Sequence, residues 1–136
     1  MARVSFTIPG KPFAKQRPRF SRRNGVAFTP KETVSFERTV GQIAMQHFPR
    51  PIEGPVRLNI IAVFEPPPSW SKKKRAEALE RPHAPHTQKP DKDNIEKAIC
   101  DGLNRIAFVD DAQVFDGRTM KVWGQRAETI VTVEEA

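Results

Sequence analysis

The stretch "KPDKDNIEKAICDGLNRIAFVDDAQVFD", residues 89–116, reads as a helix, a tight turn and the start of a strand. Ile95, Ile99 and Leu103 recur at spacings of four, which predicts an amphipathic helix from Asp91 to about Arg105. Lys89-Pro90 pushes the backbone before it into an extended form. Asp91 then falls at the helix N-cap and Asp93 in the first turn. Either carboxylate alone is explained by capping, because acidic side chains satisfy the free N–H groups of a helix start. The same stretch also gathers acid. Asp91, Asp93, Glu96, Asp101, Asp110 and Asp111 all lie between positions 91 and 111, with Asp116 just beyond.

Asp93, Lys97 and Asp101 follow at i, i+4 and i+8 and form a polar face opposite the isoleucines. Lys97 thus has a structural reading, an i,i+4 ion pair with Asp93 or Asp101, beside two chemical ones, stabilising charge on a phosphate or orienting an attacking water. "AFVDDAQV" reads as a short strand and turn, and an antiparallel return would bring Asp110-Asp111 back beside the helix start. Four carboxylates in one pocket repel unless a cation sits between them, and hard oxygen donors suit Mg²⁺ or Mn²⁺. A calcium loop is excluded, because Ile95 stands at the fifth ligand position and Glu96 where the glycine is required. His83, His86 and Cys100 have no recognised zinc spacing.

Outward from this stretch, "QVFDGRTMKVWG" and "AETIVTVEE" read as two terminal strands paired across Gly124. Upstream, "VRLNIIAVFEP" is nearly continuous in apolar residues and reads as a central strand. "SKKKRAEALE" predicts a short basic helix, capped by Ser69 or Ser71 and ending near Glu80. Thr29-Pro30-Lys31-Glu32 predicts another helix start with a capping box, running to about Phe48. Its candidate buried stripe is Val34, Phe36 or Val40, Ile43, Ala44 and Phe48. "RVSFTIPG" alternates and predicts a first strand. "KPFAKQRPRFSRRNGVAFTP" predicts an extended arm, with Asn24-Gly25 as a hairpin signal. The order implies an α+β fold over residues 1–136, one domain with a mixed, largely antiparallel sheet against two to three helices.

The charge balance names a partner class. Lys and Arg number 23 against 16 Asp and Glu, for a net charge of +7. Residues 1–30 carry Arg3, Lys11, Lys15, Arg17, Arg19, Arg22 and Arg23 and no acid, and Lys72, Lys73, Lys74 and Arg75 form a second cluster. One-signed segments of this kind suit a nucleic-acid backbone. Phe20, beside Arg19 and Arg22, is a candidate for stacking on an exposed base, with Trp70 and Trp123 as further aromatics. A single cysteine and an N-terminus without a signal-peptide core predict a cytoplasmic protein, and no apolar run is long enough for a membrane span.

The motif "PDKDNIEKAICDGLN" followed by "VDDAQV" resembles the hallmark of the RusA family of Holliday junction resolvases of bacteria and their phages. The family pattern, D-x-D-N-x-x-K, an aspartate four residues on, then D-D-x-Q-V, is met by Asp91, Asp93, Asn94, Lys97, Asp101, Asp110, Asp111, Gln113 and Val114. "SFTIPGKPFAKQRPRF" also resembles the opening of many members. The resemblance implies a homodimeric, Mg²⁺-dependent endonuclease that resolves four-way DNA junctions by paired symmetric nicks, in recombination and repair. It implies that Asp91, Asp93 and Asp111 bind the metal, that Asp110 adjoins the set, and that Lys97 is the essential lysine. Asn94, Asp101 and Gln113 would support them. The competing expectations are a non-catalytic nucleic-acid-binding protein of the same fold, or a nuclease selective for flapped or branched DNA or for RNA.

Overall fold

The computed structural model describes residues 3–136. The chain runs β1 (Arg3–Pro9), β2 (Arg19–Phe20), β3 (Ala27–Phe28), α1 (Lys31–Met45), β4 (Val56–Phe64), α2 (Lys72–Leu79), α3 (Lys92–Leu103), a 3₁₀ turn (Asp111–Gln113), β5 (Val114–Trp123) and β6 (Glu128–Glu135). Four strands form one sheet in the order β1-β6-β4-β5, and β2 and β3 form a separate two-stranded hairpin. β6 is antiparallel to both β1 and β4, while β4 and β5 are parallel. The α+β class and the mixed sheet are as the sequence predicts, with β4 interior.

The terminal hairpin does not form. β5 pairs with β4, and β6 inserts between β1 and β4. Inserted there, β6 has a hydrogen-bonding partner along both edges, and its Thr129, Val131 and Val133 are buried. A hairpin with β5 would have left one of those edges open. The connection crosses the end of β4, where the Gly124 N–H donates to the Phe64 carbonyl at 2.9 Å. Any Cβ at position 124 would run into Cγ1 of Val63, so the crossing requires glycine.

The core lies between one face of the sheet and helices α1 and α3. Ile95, Ile99 and Leu103 of α3 and Val40 and Ala44 of α1 meet Leu58, Ile60, Val131 and Val133, with Phe6 and Ile8 at one side. Three local expectations are corrected. α1 is preceded by Pro30 at its N-cap with no side-chain capping bond, so Thr29 and Glu32 form no capping box. The helix ends at Met45; Val40, Ala44 and, just beyond, Phe48 are buried as expected and Phe36 and Ile43 are partly buried against the core, but Thr33 and Gly41 join the stripe and Val34 points outward at 41% exposure. The hydroxyl of buried Thr33 is satisfied by donating to Gln16 Oε1 at 3.1 Å, which ties the arm to the helix. "AFVDDAQV" contains a 3₁₀ turn rather than a strand before β5 begins. Ser71, of the two serines, caps α2, accepting from the Lys74 N–H at 3.1 Å.

Candidate active site

α3 starts with Asp91 at the N-cap, but the Asp91 side chain makes no capping bond. Its carboxylate lies 3.5 Å from the Lys89 ammonium and its side chain is 63% exposed. Asp93 is more open still, 89% exposed and 4.0 Å from Lys92. Capping therefore accounts for the position of Asp91 and not for its carboxylate. Lys97 is exposed, and among the described residues its ion pair with Asp93 or Asp101 is not formed. Asp101 instead accepts from Lys15 at 2.9 Å, and Lys15 also reaches Glu37 at 2.7 Å. Burial pulls the Lys15 ammonium down, but the bonds to Glu37 and Asp101 outweigh it and its pKa is raised. The positive charge of Lys15 is thus spent inside the fold, and a structural bridge takes the place of the phosphate contact expected there. The backbone N–H of Lys15 donates to the Asn94 carbonyl at 2.9 Å, pinning the basic arm to the first turn of α3. Asn94 enters this link through its backbone.

Asp110 and Asp111 differ sharply. Asp110 caps the 3₁₀ turn: its Oδ2 accepts from the Ala112 N–H at 3.0 Å, and its own N–H donates to Gln113 Oε1 at 2.8 Å. Gln113 Nε2 donates to the carbonyls of Ile52 and Gly54, each at 2.8 Å, and so braces the turn against the loop before β4. Asp111 is exposed and has no partner among the described residues. Its charge is felt at Cys100, whose thiol is pushed up to about 12 by burial first, then by Glu96, Asp111 and Asp101.

These contacts show how α3 lies on β5. Residues 88–90 sit at Lys121, Glu96 sits over Gly117 and Thr119, and Cys100 lies within the field of Asp111. Helix and strand run in opposite senses. The charge of Asp111 thus reaches the third turn of α3, about 10 Å of helix rise from Asp93. Among the described residues no three His, Cys, Asp or Glu side chains close on a point that could hold a metal ion. The donor chemistry suits a hard divalent cation, with exposed carboxylates and no thiol or imidazole among them. The structure shows that donor set open, in two groups.

Two residues between these groups carry weight that spacing alone does not reveal. Glu96 accepts from the Thr119 hydroxyl at 3.2 Å, and the bare backbone of Gly117 leaves room for it, since a Cβ there would come within 3.0 Å of Oε1. Lys121 Nζ donates to the carbonyls of Gln88 at 2.6 Å and Pro90 at 2.7 Å. Glu96 is three residues after Asp93, a hint that it shares a flank of the helix, but nothing in the sequence tells which strand lies beneath.

The basic surface is built from the arm and α2. Arg17, Arg19, Arg22 and Arg23 are exposed, and none forms an ion pair among the described residues. The hairpin carries Phe20, Val26 and Phe28 at 70%, 58% and 48% exposure, an apolar tip between arginines that includes two residues the charge pattern alone passes over. A shallow groove lined by Lys11, Pro12, Phe13, Ala14, Lys89 and Pro90 lies between the arm and the loop before α3. On α2, Lys72 and Lys73 are exposed, Lys74 lies 4.2 Å from the ring centroid of Trp70, and Arg75 donates to the Pro67 carbonyl at 3.1 Å. Trp70 in turn packs on Trp123, which is partly buried against the core, so Phe20 is the better-presented aromatic.

A basic arm leading to exposed, uncapped carboxylates on a small α+β domain is the architecture of a protein that handles a polyanion at an acidic centre. The sequence matches the family described as Endodeoxyribonuclease RusA over residues 9–134, nearly the whole chain. The chain belongs to the RusA endodeoxyribonuclease family. It is also similar to "Uncharacterized protein YqaN" of Bacillus subtilis (strain 168), 38% identical over 141 residues that cover 97% of this chain and 96% of that protein.

Proposed function

We propose that the protein is a divalent-metal-dependent endonuclease that resolves four-way DNA junctions by paired symmetric nicks, acting as a homodimer in cytoplasmic recombination and repair. The observation that carries this reading is the state of the motif residues. Asp93, Lys97 and Asp111 are exposed and lack strong partners, and Asp91 occupies a cap position without using its carboxylate to cap. A fold that needed these groups only for stability would have spent them.

Asp91 and Asp93 from one group and Asp111 from the other would hold Mg²⁺, or Mn²⁺ in its place, once the two groups close on the ion. Asp110 is next to the set, with one oxygen engaged in its own turn. When bound, the ion neutralises charge at the scissile phosphate and supplies an activated water. The other roles belong to the chain itself. Lys97 offers an ammonium to the phosphate oxygens. Arg17, Arg19, Arg22 and Arg23 hold the backbone, Lys72 and Lys73 extend that surface, and Phe20 stacks on a base unpaired at the branch point. A four-way junction has approximate two-fold symmetry, and a C₂ dimer supplies one site per cut strand.

The test is cleavage of a synthetic four-way junction beside linear duplex, flapped duplex, single strand and RNA, with and without Mg²⁺. Metal-dependent, opposed nicks in the junction with duplex left intact are expected. Equal cutting of duplex and junction would remove junction selectivity and keep the nuclease; binding without cutting in either metal would remove the nuclease.

A further inference from the structure

Both carboxylate groups of the site are tied to β5. Asp111 lies immediately before β5, and the loop leading into Asp91 is held near the strand's other end. We infer that Lys121 is a positioning residue for cleavage, the strut that fixes Asp91 and Asp93 relative to Asp111; this rests on the nuclease reading above. Its ammonium has three N–H donors, and two are given to the carbonyls of Gln88 and Pro90 at 2.6 and 2.7 Å. Pro90 is the residue next to Asp91, so the bond acts one residue from the carboxylate.

The rest of the loop is clamped to the same edge of β5. The Trp123 N–H donates to the Ala84 carbonyl at 2.9 Å, and the His86 N–H to the Lys121 carbonyl at 3.0 Å. The His86 ring is 5% exposed and stacks on Phe64 with centroids 3.9 Å apart. The loop is therefore anchored apolar at 84–86 and polar at 88–90, and the polar half depends on one side chain. Lys121 points to the helical side of the sheet with Gly117 and Thr119, the residues that carry Glu96. β5 thus sets the spacing from Asp111 through Glu96 to the start of α3. A lysine committed to two carbonyls is poorly placed to serve as a phosphate contact, and its effect on cleavage runs through the loop it holds.

The experiment compares Lys121→Met, which keeps length and loses the donors, with Lys121→Arg, which keeps donors. Amide exchange over residues 88–94 of the full chain, without metal, should quicken roughly tenfold or more in Lys121→Met while α1 and β6 keep their protection. Single-turnover junction cleavage should fall roughly 10- to 100-fold, with junction Kd within about twofold, since a small misplacement costs rate rather than binding. Lys121→Arg should recover part of both. Unchanged exchange over 88–94 in Lys121→Met overturns the strut whatever the activity. Loosened exchange with an unchanged cleavage rate overturns the positioning role. A parent protein that cuts no DNA, together with loosened exchange in the variant, overturns the nuclease reading and leaves the strut standing.

Discussion

Asp93 and Asp111 are the residues at which a structural and a chemical account part. Both are exposed, and neither makes a capping bond or a strong pair, so the fold gains little from their charge. Asp93→Asn and Asp111→Asn should lower junction cleavage by orders of magnitude, leave junction binding intact or tighter, and hold the metal-free Tm steady. The added stabilisation by Mg²⁺ should shrink in both, since only ligands of the native state gain from linkage. Cleavage rate, Kd and Tm on the same variants decide it; native cleavage by a stable, binding variant removes that aspartate from the site. Cys100 gives a second residue-level prediction. Its thiol is raised from 9.0 to about 12, chiefly by burial. Above about pH 9 the unfolded chain sheds this proton while the folded chain keeps it, so stability falls as pH rises toward 12. The loss is on the order of 3–4 kcal/mol across the window. Lys15, also raised, contributes in the upper part of the same range. Urea midpoints at successive pH values check this, and Cys100→Ala should flatten most of the slope.

Among the elements, the β2–β3 hairpin and its arm are built differently from the rest. They bury little, carry arginines without ion pairs among the described residues and expose Phe20 and Phe28. Their folded position comes from the Lys15 bridge and the Thr33–Gln16 bond at their base. Replacing Arg17, Arg19, Arg22 or Arg23 by Ala should weaken binding to all junction sequences alike and reduce the salt slope by about one unit per lost contact. Lys15→Ala should behave otherwise, lowering stability with a smaller change in slope, because its charge faces Glu37 and Asp101. Titrations at several salt concentrations separate the two classes, and an unchanged slope across the arginines would move the DNA surface to α2.

At the scale of the whole molecule, helices α1 and α3 cover one face of the sheet, and the other face carries Arg57, Asn59 and Arg118. β5 is the edge strand on which α3 lies, and the arm is pinned to the first turn of that helix. One chain presents one such edge, and two matched cuts in a two-fold substrate need two. Light scattering should therefore give twice the chain mass of 15.4 kDa for the protein alone, and that dimer mass plus the mass of the junction for the complex. A monomer at working concentration in both conditions would count against paired cleavage.

Periodicity was enough to place what depends on neighbours in the chain. The alternation in β1, the apolar run of β4, the spacing of Ile95, Ile99 and Leu103, and the turn at Asn24-Gly25 all report local geometry, and the elements formed there. The motif likewise singled out Asp91, Asp93, Lys97 and Asp111, since residue type and spacing are what a motif records, and the structure leaves all four exposed. The partner of β6 could not be read in the same way. A strand with one apolar face pairs equally well with β5 or between β1 and β4, and the choice rests on which arrangement satisfies both of its edges. Nor could spacing tell that Lys15 and Asp101 neutralise each other, that Lys121 holds the loop before Asp91, or that Glu96 rests over Gly117 and Thr119. Each joins residues far apart in the chain, and only the packing of α3 antiparallel on β5, with the arm laid along its flank, brings them together.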